Sequence, residues 1–229
     1  MVGAAPGSLA DDGSDADPTV AAAQPTARLP AASRRRQLLS VAKHVLGERG
    51  FHQTTMAEIA AAAGVTKPVL YQHFSSKRDL YTAVLHDAGN RLQESLDAAN
   101  ARAASPREQA ELGFAAYVRF VQDDPAGFRL LFSSTSRQDE EWSAIGDSVT
   151  NYIAEATAER IKVEGMSEAH RRVLAHGIIG MAEGMMRYWH TGDVEGLDLD
   201  DLLADLQSLA WGGLRSLSGR DEVIRSPRR

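Results

Sequence analysis

Between Thr55 and Phe74 there is room for two short helices and almost nothing between them, a spacing that fixes how the flanking chain can fold. The stretch "TTMAEIAAAAGV" opens with a capping box, in which the Thr55 hydroxyl meets the amide of Glu58 and the Glu58 carboxylate reaches back. The alanine-rich helix closes at Gly64, a residue able to take the positive φ of a sharp turn. In "TKPVLYQHF", Thr66 is placed to cap the next helix, and Pro68 falls in its first turn, where a missing amide hydrogen is harmless. Ala60 is small where the helices must approach, and Leu70 and Phe74, four apart, face inward to hold the second helix on the first. This spacing predicts a helix-turn-helix.

The rest of the chain keeps the same helical period. Leu38, Val41, Ala42, Val45 and Leu46 form one apolar stripe, which predicts a helix over about 33–49 ended by Gly50. Short helices follow at 55–63 and 66–73. "SKRD" at Ser76 reads as a second capping box, starting a helix that runs to about Ala101, a rod of roughly 35 Å. Further helices are expected near 106–123, 125–133, 139–163, 167–190 and 199–218, with the polar run from Ser133 to Gln138 as a break. No stretch alternates as a strand, so the fold class is all-α. Residues 1–32 carry too little aliphatic material to offset their ordering entropy and are read as a disordered tail, and 220–229 as a flexible one. The expected division is then a helix-turn-helix head at 33–77 and a larger body at 78–219.

Charge sharpens the picture. The chain's net charge is -6, yet Arg34, Arg35, Arg36, Lys43, Arg49, Lys67, Lys77 and Arg78 face only Glu48 and Glu58 between Ser33 and Arg78. That segment carries +6 and the remainder -12, the pattern of a local anion-binding surface on an acidic protein. A solvated basic helical face would look the same by charge alone. The chain has no cysteine, which excludes disulfides and thiol chemistry and suits a cytoplasmic protein. No apolar run approaches the roughly 20 residues that a membrane span needs.

With Leu70 and Phe74 inward, Lys67, Val69, Gln72 and His73 point away, with Tyr71 at the flank. Lys67 and the Tyr71 hydroxyl suit phosphate, Gln72 suits paired hydrogen bonds to adenine, and Val69 suits a thymine methyl. Lys77 is expected to reach a neighbouring phosphate, and Arg34, Arg35 and Gln37 the backbone on the other side; Thr55 and Thr66, at the two helix starts, complete the candidate DNA-contacting set. Singly, each has a duller reading: Tyr71 as a packed aromatic, His73 as a surface residue, Lys67 as a solvated charge. Turn, inward pair and outward donors nevertheless require one geometry.

"TTMAEIAAAAGVTKPVLYQHFSSKRDLYTAVL" resembles the N-terminal domain of the TetR family of transcription regulators. The resemblance implies a three-helix DNA-binding domain, a helical domain that binds a small effector, a homodimer and a palindromic operator. It implies no cofactor. Later stretches, "GFRLLF", "RYW" and "AWGGL", are similar to the fatty-acid-synthase regulators within that family, and imply a long-chain acyl-CoA as the apolar effector. Repression of an efflux or catabolic operon in response to another hydrophobic molecule is the alternative within the family.

Candidate effector-lining residues are Phe114, Tyr117, Val118 and Val121, then Phe128, Leu131 and Phe132, then Trp142, Ile145 and Val149, with Met181 and Met185; Tyr152 and Ile153 continue the apolar supply. Such stripes also serve as plain core. No basic cluster stands out for a CoA head group, with Arg119, Arg129 and Arg187 as candidates. "GIIGMAEGMMRYWH" places Gly177, Gly180 and Gly184 where another helix can approach closely. A dimer interface is expected over Ile178, Met181, Met185, Trp189, Leu206, Leu209, Ala210, Gly213 and Leu214. The same stripes would serve equally if buried within one chain. The long helix from Ser76 begins beside a phosphate contact and lines the sensory domain, so a ligand that wedges it would swing the reading head.

Two other classes compete with this reading. An enzyme lacks support, because there is no phosphate-binding glycine loop, nucleophile elbow or His-Glu zinc pattern; His176 and Glu183 are seven apart with no third ligand, so no metal site is expected. A lipid carrier without specific DNA binding is the other.

Overall fold

The computed structural model describes residues 30–218, except 191, 193 and 195. The expected tails therefore lie outside the described residues, apart from 30–32. Ten α-helices are described: α1 (Ala31–Gln53), α2 (Met56–Ala62), α3 (Lys67–His73), α4 (Lys77–Arg102), α5 (Pro106–Asp123), α6 (Pro125–Leu131), α7 (Ser134–Gln138), α8 (Glu140–Arg160), α9 (Glu168–Trp189) and α10 (Leu199–Ser218). Among these residues there is no strand, and the fold is all-α.

Several helix ends differ from the sequence expectation, each for a local reason. Helix α1 starts at Ala31, inside the expected tail, directly after Pro30. It also passes the expected stop at Gly50, which bends it with φ 78 and ψ 166, and one more turn follows. The Thr54 hydroxyl donates to the Gly50 carbonyl at 2.8 Å and secures that turn. The run from Ser133 to Gln138, expected to be a break, forms the single turn α7, with the Ser133 hydroxyl accepting the Ser136 amide at 3.0 Å. Asp139 then caps α8 by accepting the Trp142 amide at 3.2 Å, and α8 ends at Arg160. Serines and aspartates that read as a loop are here the caps of two consecutive helices. At the start of α4, Ser76 accepts the Asp79 amide at 3.0 Å, but the Asp79 carboxylate takes the Ser75 amide, one residue farther out than in a capping box.

Helix α4 is the spine. Its buried Leu80, Tyr81, Val84, Leu85, Ala88 and Leu92 pack against α1, α5, α6 and α8. One apolar core runs without interruption from Leu38, Ile59, Leu70 and Phe74 in the head to Phe120, Phe128 and Leu131 in the body. Burial of each such large side chain contributes about 1.5–3 kcal/mol. A second cluster joins the far ends of α8 and α9, where Ala154, Ala158 and Ala175 are small enough for the helices to close on Ile161 and Ile179.

Candidate nucleic-acid interface and effector cavity

The start of α2 and the turn after it are built as their sequence requires. In α2 the Glu58 amide donates to the Thr55 hydroxyl at 3.3 Å, and the Thr55 amide donates to the Glu58 carboxylate at 2.8 Å. These Thr55 bonds, with Arg49 at 3.0 Å, hold the Glu58 carboxyl below its usual range. Gly64 has φ 64, and beside it the Val65 amide donates to the Ala60 carbonyl at 2.9 Å. Thr66 precedes α3 but makes no side-chain capping bond; Pro68 removes one of the amides a cap would serve.

Leu70 and Phe74 are fully buried beneath α3, and the Arg35 guanidinium lies over the Phe74 ring at 4.9 Å. On the opposite side Lys67, Tyr71 and Gln72 are exposed, with Val69 and His73 half-buried at the edge. Arg34 donates to Gln37 at 2.8 Å on the first turns of α1. Lys67, Tyr71 and Gln72 of the set expected to face outward do so, and Val69 and His73 lie at its margin.

Lys77 does not belong to that set. Its ammonium donates to the carbonyls of Phe51 at 2.8 Å and Thr54 at 2.9 Å, and stands 4.2 Å from the centre of the Phe51 ring. It satisfies the orphan carbonyls at the end of α1 instead of a phosphate. The charge count changes with it. Lys43 is buried and paired with Asp124, Arg78 forks onto Asp139 and Glu141, and Arg49 pairs with Glu58. Arg34, Arg35, Arg36 and Lys67 are the cations of the segment not tied to a carboxylate or to the end of α1.

Two fastenings join head to body. At one, the buried Lys43–Asp124 pair ties α1 to the α5–α6 junction, and Asp124 also accepts the Gly127 amide at 2.9 Å. Beside it α1 and α6 touch so closely that a Cβ on Gly47 would lie 2.8 Å from that of Ala126. At the other, the Phe51 ring of α1 stands 4.8 Å from the Trp142 ring of α8, which Arg78 covers at 4.6 Å and whose indole donates to Thr82 at 2.9 Å; Arg78 also meets Asp139 at 2.7 Å. Hydrogen bonding to Arg78 holds the Asp139 carboxyl below its usual range.

The body contains an apolar cavity of about 100 Å³ between α4, α5, α8, α9 and α10. Leu96 and Asn100 of α4, Phe114 and Tyr117 of α5, and Ile153 of α8 with Ile161 just after it form much of its wall, with Ile178, Ala210, Trp211 and Leu214 from α9 and α10. Tyr117 is buried there with its hydroxyl unpaired, and burial pushes that hydroxyl's pKa up.

Phe114 and Tyr117 of the expected lining residues reach this cavity, as do Tyr152 and Ile153 from the same apolar supply. Val118, Val121, Phe128, Leu131, Ile145 and Val149 are buried in the main core, and Phe132, Met181 and Met185 pack against it. Trp142 is enclosed by Phe51, Tyr81 and Arg78. Ile178, Ala210 and Leu214, expected at a dimer contact, line the cavity instead, and Leu206 is fully buried within the chain. Trp189 is half-buried against the core, whereas Leu209 and Gly213 are exposed. Leu96, Asn100 and Trp211 were missed because each sits on a helix whose stripe reads as ordinary core. Among the possible head-group cations, Arg129 donates to the Gly47 carbonyl, Arg187 pairs with Glu183, and Arg119 is exposed. Glu183 also binds Arg137.

A three-helix head with an exposed short helix, set on a larger helical body that holds an apolar cavity, is the architecture of a helix-turn-helix transcription regulator. Residues 38–84 match the family described as bacterial regulatory proteins, tetR family. The chain is 36% identical over 188 residues to the HTH-type transcriptional activator FasR of Mycolicibacterium smegmatis, covering 82% of this chain and 85% of that one. A TetR-like transcriptional regulator from Rhodococcus sp. RHA1 shares the fold at a TM-score of 0.68 and 32% identity, over 82% of this chain and 99% of that one. AibR, solved in complex with isovaleryl coenzyme A and operator DNA, shares the fold at a TM-score of 0.64 and 20% identity, over 77% of this chain and 97% of that one. The chain belongs to the TetR family of bacterial transcription regulators. Membership places it among regulators and not among enzymes.

Proposed function

We propose that this regulator acts as a homodimer that sets two copies of α3 on a palindromic duplex, and that a long-chain acyl-CoA in the apolar cavity sets its grip. The carrying observation is that one helix serves both sites. The first residues of α4 hold the end of α1 through Lys77, and the same helix contributes Leu96 and Asn100 to the cavity wall. At about 100 Å³ the cavity is smaller than the roughly 300–1,000 Å³ of pockets that hold drug-sized ligands. A long tail would have to part the helices, and α4 is one of them. Such a ligand favours the arrangement in which the helices stand apart, and it can shift DNA affinity only by that difference.

On the head, Lys67 and Tyr71 serve phosphates, Val69 and Gln72 read base edges, and Arg34 and Arg35 brace the far backbone. Dimerisation is supported by a stripe on the outer side of α9 and α10. Val173, Tyr188 and Leu209 are 68%, 61% and 56% exposed, and a Cβ on Gly177, Gly180, Gly184 or Gly213 would meet nothing within 4 Å. Two-fold pairing would set the reading helices on half-sites about 34–36 Å apart.

A gel shift on the duplex flanking the protein's own gene tests this reading. A palindrome-specific complex is expected, and long-chain acyl-CoA, but not coenzyme A alone, should change its midpoint. A specific complex indifferent to acyl-CoA would exclude this effector and favour another hydrophobic molecule. No specific complex at low salt would exclude the DNA-reading assignment itself.

A further inference from the structure

A second, more open hollow adjoins the cavity where α5 begins and α8 and α10 end, and the two share Arg160, Ile161, Trp211 and Leu214. Its lining adds Arg107, Lys162 and Arg215 and contains no acidic residue. Four cations therefore stand around one mouth of an apolar chamber, on a protein whose net charge is -6. Among the described residues, ion pairs engage Arg107, through Glu111 at 2.8 Å, but not Arg160, Lys162 or Arg215.

Arg160 is the most informative of the four. Its Nε donates to Gln109 at 3.1 Å and one terminal nitrogen donates to the Ala156 carbonyl. The other terminal nitrogen is left for a ligand. The side chain is half-buried, and burial disfavours its charge, with Glu159 as the nearest compensation. A guanidinium kept in that setting without a bonded carboxylate gains most from an incoming anion. At the neck between hollow and cavity, the Trp211 indole N–H is buried without a hydrogen-bond partner. Native chains rarely leave such a donor unsatisfied.

We infer that this mouth is a polyphosphate head-group site for the coenzyme A end of the proposed effector. The inference rests on the cavity being the effector site. A single carboxylate would satisfy one guanidinium and leave the other cations facing each other. A head bearing several phosphates answers several cations at once, while Trp211 suits a neutral carbonyl oxygen of the linking arm and the cavity takes the tail.

Titration calorimetry on the full chain with palmitoyl-CoA, palmitate and coenzyme A tests the assignment. Palmitoyl-CoA should bind about tenfold or more tightly than palmitate, with an affinity that falls as salt is raised. Lys162→Gln with Arg215→Gln, both exposed, and separately Arg160→Gln should each weaken palmitoyl-CoA about tenfold while changing palmitate less than twofold. Equal losses for both ligands, or no loss in either variant, would overturn the head-group site while leaving the cavity reading intact. Failure of both ligands to bind the unaltered protein would overturn the two together. Circular dichroism separates a failure to fold from a loss of contacts, and the double variant, at two exposed positions, decides if Arg160→Gln unfolds.

Discussion

Lys67 and Val69 stand two residues apart on one short helix, yet their chemistry assigns them different work. An exposed ammonium meets phosphate wherever phosphate is, whereas a half-buried aliphatic edge can only meet particular base edges. Lys67→Ala should therefore weaken specific and random duplexes alike and reduce the salt slope by about one. Val69→Ala should instead weaken specific duplex only. Fluorescence anisotropy on both duplexes across a salt series reads the two effects, and equal losses on both for Val69→Ala would sink its assignment. Lys77 shows where single residues mislead. By type and position it resembles a phosphate contact, but its partners are carbonyls 26 and 23 residues earlier, at the end of a helix whose last turn exists only because Gly50 bends.

At the scale of elements, local chemistry was legible and distant chemistry was not. The Thr55 box, the Gly64 turn and the inward Leu70–Phe74 pair are made by neighbours in the chain, so their pattern can be read from it directly. Helix α7 escaped because a run of serines with Arg and Gln carries no apolar stripe; Ser133 and Asp139 declare two caps only once helices are seen on both sides. The cavity escaped for the opposite reason. Its residues come from five helices, and a stripe that borders a void has the same period as one that fills it. The buried Lys43–Asp124 pair spans 81 residues and left no signal beyond a charge count. Its consequence is testable. Lys43→Met leaves the Asp124 carboxylate buried without its ammonium and should cost about 3–5 kcal/mol. Adding Asp124→Asn should recover part of that loss, because the amide oxygen can still accept from Gly127. Urea midpoints of the single and double variants check this, and an additive loss would contradict the pairing.

For the whole molecule, the outer stripe of α9 and α10 is where the proposed dimer can be tested. Leu209 makes little use of its own chain, so Leu209→Glu should leave the fold unchanged. In a dimer it would place two carboxylates in an apolar seam, and the variant should sediment as a monomer. Palindromic duplex should then bind no more tightly than a single half-site. A variant that remains dimeric would move the interface elsewhere. The acidic remainder of the chain fits this arrangement, since a body that repels phosphate leaves the head as the part that approaches DNA.

The continuity of α4 carries one more consequence. About 30 Å of helix separates its first residues from Leu96 in the cavity wall. A tilt of about 5° at the cavity end displaces the other end by about 3 Å, so a change no larger than a side chain can be geared into a mismatch with the pitch of the double helix. Such gearing works only while the rod is stiff, and sensitivity to the effector should track the straightness of that one element more closely than the size of the chamber beside it.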